Sequence, residues 1–429
     1  MKKPILGKRT FLRDNTVPAI AFEKAMTIRH RNTFSIAAGE EQNEPLYTGR
    51  YIAVLKEGAD DFKHARKVFT NNAGMKISSI NDFNANNYAA ANEVDADVIT
   101  YDQLGVALIS GEPEQISTVS AMADNEYIII PERIAYVPED LPALADRDVA
   151  TWGLNCTDVL KSTYTGNGVK VAILDTGFTM NHPDFAGRNI TAQSFVDGDT
   201  DPMDHHGHGT HCTGTACGGI DANGLRYGVA TKADIYIGKV LGNNGSGSQQ
   251  SIWNGILWAA DSGCKVISMS LESPVFPGQN YDLTYERFAK YASAKGAIVI
   301  AAAGNGSKRN WGHFTPVSSP ADCPSVLAVA ALDSNMNVAD FSNRCINPTA
   351  QVDIAAPGYD IYSSWTLPQR YNRIHGTSMA TPHVAGILAL LWEQYPNYSP
   401  SEITVELFKF AKRLALPSID VGIGLVMAK

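Results

Sequence analysis

The stretch GVKVAILDTG at residues 168–177 decides the fold. Its centre is a continuous apolar run, and it ends on an acid followed by threonine and glycine. A strand with one covered face alternates apolar and polar side chains, whereas one covered on both faces is apolar throughout. The same signature returns in KADIYIGKVL (232–241), CKVISMSL (264–271), GAIVIAAAGN (296–305) and SVLAVAAL (325–332). Between them, GSQQSIWNGILWAADSG (247–263) and YERFAKYASAKG (285–296) carry helical periodicity. This alternation predicts an α/β domain, doubly wound on a mostly parallel sheet, with functional groups at the carboxyl ends of the strands. GTSMATPHVAGILALLWEQY (376–395) is as long as a membrane helix, but its polar start and Glu393 mark it as a buried central helix.

Upstream the pattern differs. RYIAVLKEGADDFKHARKVF (50–69) reads as a strand and a helix. After an Asn- and Ala-rich stretch (81–97), LGVALISG (104–111) reads as a strand, 113–123 as a helix and 127–130 as a strand. Residues 50–137 are therefore expected to form a small α+β domain of the split βαβ type. The Pro- and Asp-rich stretch 138–150 reads as an exposed linker, and 151–429 as the large domain. Residues 1–49 read as a basic, disordered segment: positions 1–31 hold eight Lys or Arg against Asp14 and Glu23. That start lacks the apolar core of about 7–15 residues found in export signals, so a cytoplasmic or non-classically exported protein is expected.

The whole chain has 429 residues, 44% hydrophobic and 18% charged, with a net charge of −9. A net acidic chain does not suit general nucleic-acid binding, which needs a basic surface. No apolar run predicts a membrane span, and six irregularly spaced cysteines do not form a disulfide framework, though one pair is open to bridging.

Four positions carry chemistry. DHHGHGTHCTGT (204–215) holds four histidines within seven positions. A metal centre is disfavoured there: HExxH is absent and no further ligands are recognised at suitable spacing. Asp175, at the end of its apolar strand, is either a turn cap or a buried carboxylate that orients an imidazole. Asn305, between Gly304 and Gly306, is either a turn residue or an amide donor. Ser378 opens the long helix, where a serine is usually a cap but also sits in a field favouring negative charge.

Taken together, AILDTG, HGTHCTGT, AAAGN and GTSMATPHVAG resemble, in order, the blocks of the subtilisin-like (S8) serine proteases. The likeness spans roughly 150–429 and closes on VGIGLV (421–426); Cys212 resembles the proteinase K-like branch. It implies Ser378 as nucleophile, His208 as general base, Asp175 as its orienting carboxylate and Asn305 as oxyanion donor. His211 and His383 become packing residues. Gly245, Ser246 and Gly247 would pair a peptide substrate as an edge strand. Ser270, Leu271, Glu272 and Gly304 would line the pocket for the residue before the scissile bond. The family's usual glycine is replaced by Glu272, which would either favour a basic residue there or point to solvent. Asp184 matches a calcium-ligating aspartate, so a structural calcium is an expectation, with no cofactor required for the chemistry.

Residues 50–137 resemble the family's inhibitor I9-type propeptide. That implies a monomeric zymogen, inhibited by its own propeptide, which cleaves itself within 140–150 and then acts on proteins or peptides. A long propeptide favours export, against the missing signal. Two other readings stand beside this one: a peptide-binding pseudoprotease that keeps its propeptide, and a narrow processing protease.

Overall fold

Seven strands that read as apolar runs or their neighbours assemble into one parallel sheet. The computed structural model describes residues 45–56, 62–83, 85–123, 126–137 and 149–429. Five strands build the small unit: β1 (Leu46–Leu55), β2 (Ile77–Ser79), β3 (Val98–Tyr101), β4 (Val106–Ile109) and β5 (Tyr127–Tyr136). The large unit follows with β6 (Lys170–Asp175), β7 (Ile190–Ser194), β8 (Asp234–Lys239), the short edge strand β9 (Ser246–Ser248), β10 (Val266–Met269), β11 (Ile298–Ala302), β12 (Val326–Leu332) and β13 (Ile354–Pro357). The large sheet has the order β13-β12-β11-β10-β6-β8-β7, and every pairing in it is parallel. From β6 the chain first moves to the β7 edge, then returns to build the other half. β6 therefore borders the point where the winding reverses, the place where such sheets open a crevice.

Helices cover both faces, which is why the strands are apolar throughout. On one face lie α2 (His208–Cys217) and α5 (Thr377–Gln394), the latter packed along β10 to β13; on the other lie α3 (Gln249–Asp261) and α4 (Leu283–Ala294). The expected central helix is real, buried from Thr377 to Trp392. No helix among the described residues is long and apolar enough to cross a membrane. All six cysteines are unpaired, so none of the pairs left open by the sequence is bridged.

The small unit begins at Leu46, four residues earlier than expected, and holds two strands that the sequence reading did not find, β2 and β3. Its sheet orders β2-β3-β4-β1-β5, with helix α1 (Pro113–Ala121) on its outer side. β1 is apolar on both faces for a reason the sequence does not show. Tyr51, Ala53 and Leu55 face the unit's own helices, while Ile52 and Val54 join a core shared with the large unit.

That shared core centres on Tyr101, whose ring meets Trp253 of α3 and Phe288 of α4 edge-on at 5.8 and 5.4 Å. Each aromatic pair of this kind contributes about 0.5–1.5 kcal/mol beyond area burial. Polar clamps surround it. Arg50 pairs with the fully buried Glu132 (Nε–Oε2 2.7 Å), and Glu132 Oε1 accepts the Gln250 N–H at the amino end of α3 (3.0 Å). A carboxylate is favoured there by the helix dipole. Arg287 of α4 donates to the carbonyls of Leu104, Gly105 and Leu55.

Hydrogen bonds from a charged donor contribute about 1.5–3 kcal/mol, and Arg287→Ala removes that donor from three carbonyls at once. Amide exchange in β1 and β4 is expected to quicken at least about tenfold, a decade corresponding to ~1.4 kcal/mol, with β10 and β11 unaffected. Unchanged exchange in β1 and β4 would show that the clamp holds nothing.

Candidate active site

Asp175 is the last residue of β6 and 1% exposed, a carboxylate delivered to the crevice by an apolar strand. Its Oδ1 accepts the Thr176 N–H at 2.7 Å and meets His208 Nδ1 at 2.8 Å. His208 is the first residue of α2 and fully buried. The preceding Gly207 has φ 110°, and a β-carbon there would lie 2.3 Å from the Trp365 ring. Only glycine makes that turn, which explains the HGHG spelling.

Asp204 was not recognised from the sequence. Its buried carboxylate accepts the N–H groups of His206, Gly207 and Thr210 and the hydroxyls of Thr176 and Thr210. It ties the histidine loop to the end of β6. The available signal was an acid four residues before His208, at the start of a helix.

The other three histidines of the cluster separate clearly. His205 is exposed, and His206 is half-buried beside Gly245. His211 is fully buried with Nε2 on the Ile361 carbonyl; burial drives its pKa down to about 3, so it is neutral. His383, down to about 4 by burial, has Nδ1 on the Met379 carbonyl. Both are packing residues, as expected.

For His208, burial alone would lower the pKa, but the Asp175 charge and hydrogen bond raise it well above the ordinary value. Cys212, one turn along α2, lies 3.8 Å from His208 Nδ1 and 3.6 Å from the Ser378 carbonyl oxygen. Burial pushes its thiol up to about 11, so it carries no charge at neutral pH, and Asp175 is the source of the His208 shift. The sequence reading missed that Cys212 stands at ligand spacing: Asp175, His208 and Cys212 gather their ligand atoms within 4.8 Å. Of these three, His208 Nδ1 and Asp175 Oδ1 are bound to each other at 2.8 Å rather than left open as ligands.

Ser378 is the second residue of α5. Its Oγ donates to the Ser270 carbonyl (3.3 Å), and Ser270 Oγ donates to the Ser378 carbonyl (2.8 Å). His208 Nε2 is buried and has no partner among the described residues. Asn305 is held from one side only: its Oδ1 accepts both the N–H (2.9 Å) and the hydroxyl (2.8 Å) of Thr377. Those donors fix which amide atom is oxygen, and leave Nδ2 turned towards Gly376, beside Ser378.

A groove leads into this cluster. One bank is β9, the other the segment after β10, and the end of the small unit lies between them. Ile134, Ala135 and Tyr136 pair antiparallel with Ser248, Gly247 and Ser246. Tyr136 also exchanges both backbone hydrogen bonds with Glu272, at 2.9 and 3.1 Å, and Val137 N–H reaches the Gly245 carbonyl at 2.9 Å. The edge expected at Gly245, Ser246 and Gly247 is thus real and already paired, with residues 134–137 forming the middle strand of three. Leu271 is fully buried behind it.

One of the two alternatives for Glu272 is removed. Glu272 does not point to solvent: it is 5% exposed, with its carboxylate against Gly304. Asp184 has neighbours that come from other parts of the chain. Its carboxylate accepts the hydroxyls of Tyr227 (2.7 Å) and Tyr371 (2.9 Å). In the loop 218–228, Asp221 accepts the N–H groups of Asn223 and Leu225 and the Tyr362 hydroxyl. Three tyrosine hydroxyls thus converge on the carboxylates of Asp184 and Asp221.

A family model described as the subtilase family matches residues 166–424. The chain is 42% identical over 241 residues to thermitase of Thermoactinomyces vulgaris, covering 56% of this chain and 81% of thermitase. It is 36% identical over 309 residues to M-protease of Shouchella clausii, covering 71% and 76%. The solved structure of sphericase superposes with a TM-score of 0.58 at 33% identity, covering 67% of this chain and all of that one.

The raised His208 value can be read directly. An NMR titration of its ring protons is expected to have a midpoint above the ordinary ~6.5, and Asp175→Asn to bring it down. A wild-type midpoint at or below ~6.5 would contradict the ion-pair geometry.

Proposed function

This chain belongs to the subtilase family, and on that premise we propose that it is a self-processing zymogen whose Ser378, His208 and Asp175 hydrolyse peptide bonds. It is a serine endopeptidase, acting on proteins or peptides, and the chemistry uses no cofactor. The observation that carries the assignment of roles is the buried Asp175–His208 contact with Nε2 left unpartnered. Asp175 accepts from Nδ1–H, so in the neutral ring, the form present above its raised pKa, the proton sits on Nδ1 and Nε2 presents its lone pair.

Rotation of the Ser378 side chain away from the Ser270 carbonyl gives its hydroxyl to Nε2. Oγ then attacks the substrate carbonyl while Nε2 takes the proton. The oxyanion accepts from Asn305 Nδ2–H and the Ser378 backbone N–H, at the positive end of α5. Collapse breaks the C–N bond, and the amine leaves with the proton from His208. Water repeats the sequence on the acyl-enzyme and frees Ser378.

The zymogen reading rests on the groove. A chain paired on both sides through 134–137 occupies it as a substrate strand would, but continues the small unit. The likeness to alkaline elastase YaB of Bacillus sp. supports a related precursor: it runs over 344 residues and 79% of this chain, more than residues 149–429 supply. The predicted cut within 140–150 lies largely outside the described residues, which resume at Val149. The shared core favours a second reading, a chain that never releases its small unit.

Intact mass and N-terminal sequencing decide between them. Wild type is expected to gain a new N-terminus within 140–150, and Ser378→Ala to stay full length; a processed mutant would exclude self-cleavage. Separately, Asn305→Ala is expected to lower kcat by about 10²–10³ with KM little changed, measured on a peptide substrate. A loss below about tenfold would remove Asn305 from the oxyanion site.

A further inference from the structure

Three segments meet beside Ser378: residues 270–273 after β10, 303–306 after β11, and 317–319. Backbone contacts knit these segments together: Ser318 N–H donates to the Ala303 carbonyl, and Ser273 and Ser319 exchange hydrogen bonds. Glu272 sends its side chain between these segments. Its carboxylate accepts the Ser318 hydroxyl at 2.7 Å and the Asn305 N–H at 3.2 and 3.3 Å. A β-carbon on Gly304 would lie 2.4 Å from Oε2, so the carboxylate runs flat along the Gly304 segment. Asn343 supports Ser318 from behind, donating to its hydroxyl at 3.2 Å.

Two facts set this carboxylate apart from an ordinary structural one. It is nearly buried, yet no cation among the described residues pairs with it; Asn305 N–H and Ser318 O–H are neutral donors. And its own backbone N–H and C=O hold the strand that fills the groove, so the carboxylate belongs to the residue that an extended chain in the groove pairs with. A buried unpaired carboxylate is costly and gains most from an incoming cation.

Resting on the serine-peptidase reading above, we infer that Glu272 selects substrates by pairing with a lysine or arginine on the acyl side of the scissile bond, the P1 residue. The preference comes from a difference in affinity: the same carboxylate repels acidic P1 residues and gains nothing from apolar ones.

The test is a set of fluorogenic peptides that differ only at P1 (Arg, Lys, Leu, Phe, Glu), assayed with the purified full-length protein. The ratio of kcat/KM for Arg or Lys to that for Leu or Phe is expected to exceed tenfold in wild type. It should fall at least tenfold in Glu272→Gln, which keeps an acceptor but not the charge, and also in Glu272→Gly, which removes the side chain. An apolar preference in wild type, or variants that slow all peptides equally, would overturn the assignment and leave the peptidase reading standing. Turnover of no peptide, together with no labelling of Ser378 by a fluorophosphonate, in protein already cleaved between its two units and freed of the small one, would instead remove the peptidase reading and this inference with it.

Discussion

Everything in the site depends on one buried charge. Asp175 reaches the crevice because β6 is apolar on both faces and continues one residue beyond its cover. At 1% exposure a carboxylate is tolerated only with close partners, and its described partners are the Thr176 N–H and His208 Nδ1. Meeting that demand fixes the imidazole, and fixing it demands the Gly207 turn and the Asp204 brace behind it. The mechanism asks that Nδ1 hold its proton and Nε2 be free. The same hydrogen bond that compensates the buried charge does both.

The groove follows from a second constraint, the unpaired edge of β9. A bare strand edge pairs readily with any extended chain. Here the pairing is made by residues 134–137, which find a second edge at Glu272. A substrate would use the same backbone groups, so inhibition and recognition are one geometry. Gly247 keeps that edge open: a β-carbon there would lie 2.2 Å from the Val240 carbonyl oxygen.

Legibility in the sequence tracked how local each feature is. The parallel strands were visible because burial on both faces leaves an unbroken apolar run, and the four chemical positions were visible because each ends such a run or opens a helix. β2 and β3 were not. Each is four residues or fewer, and β3 follows a polar stretch whose residues serve the other unit: Tyr88 bonds Asp261, and Asn92 bonds the Phe195 carbonyl. The surroundings of Asp184 were not legible because a carboxylate's partners come from afar; Tyr227 and Tyr371 are 43 and 187 residues away in sequence. The burial of Glu272 was equally non-local, set by Ser318 and Gly304.

The shared core ties the fate of the two units together. Ile52, Val54, Val106 and Leu108 on one side, and Trp253 and Phe288 on the other, are buried against a surface that belongs to a different part of the chain. Either unit alone would present a contiguous apolar face to water, of the kind that soluble proteins cover. For the small unit the loss is proportionally larger, since a domain under about 100 residues already buries a low fraction of its surface. The large unit still keeps the core between its sheet, α2 and α5, which excludes the small unit entirely. The asymmetry has a direction: the small unit needs the large one to complete its core, whereas the large one needs the small one only to cover α3 and α4. Severing the linker would therefore leave the peptidase fold intact and the inhibitor strand attached to the less self-sufficient partner.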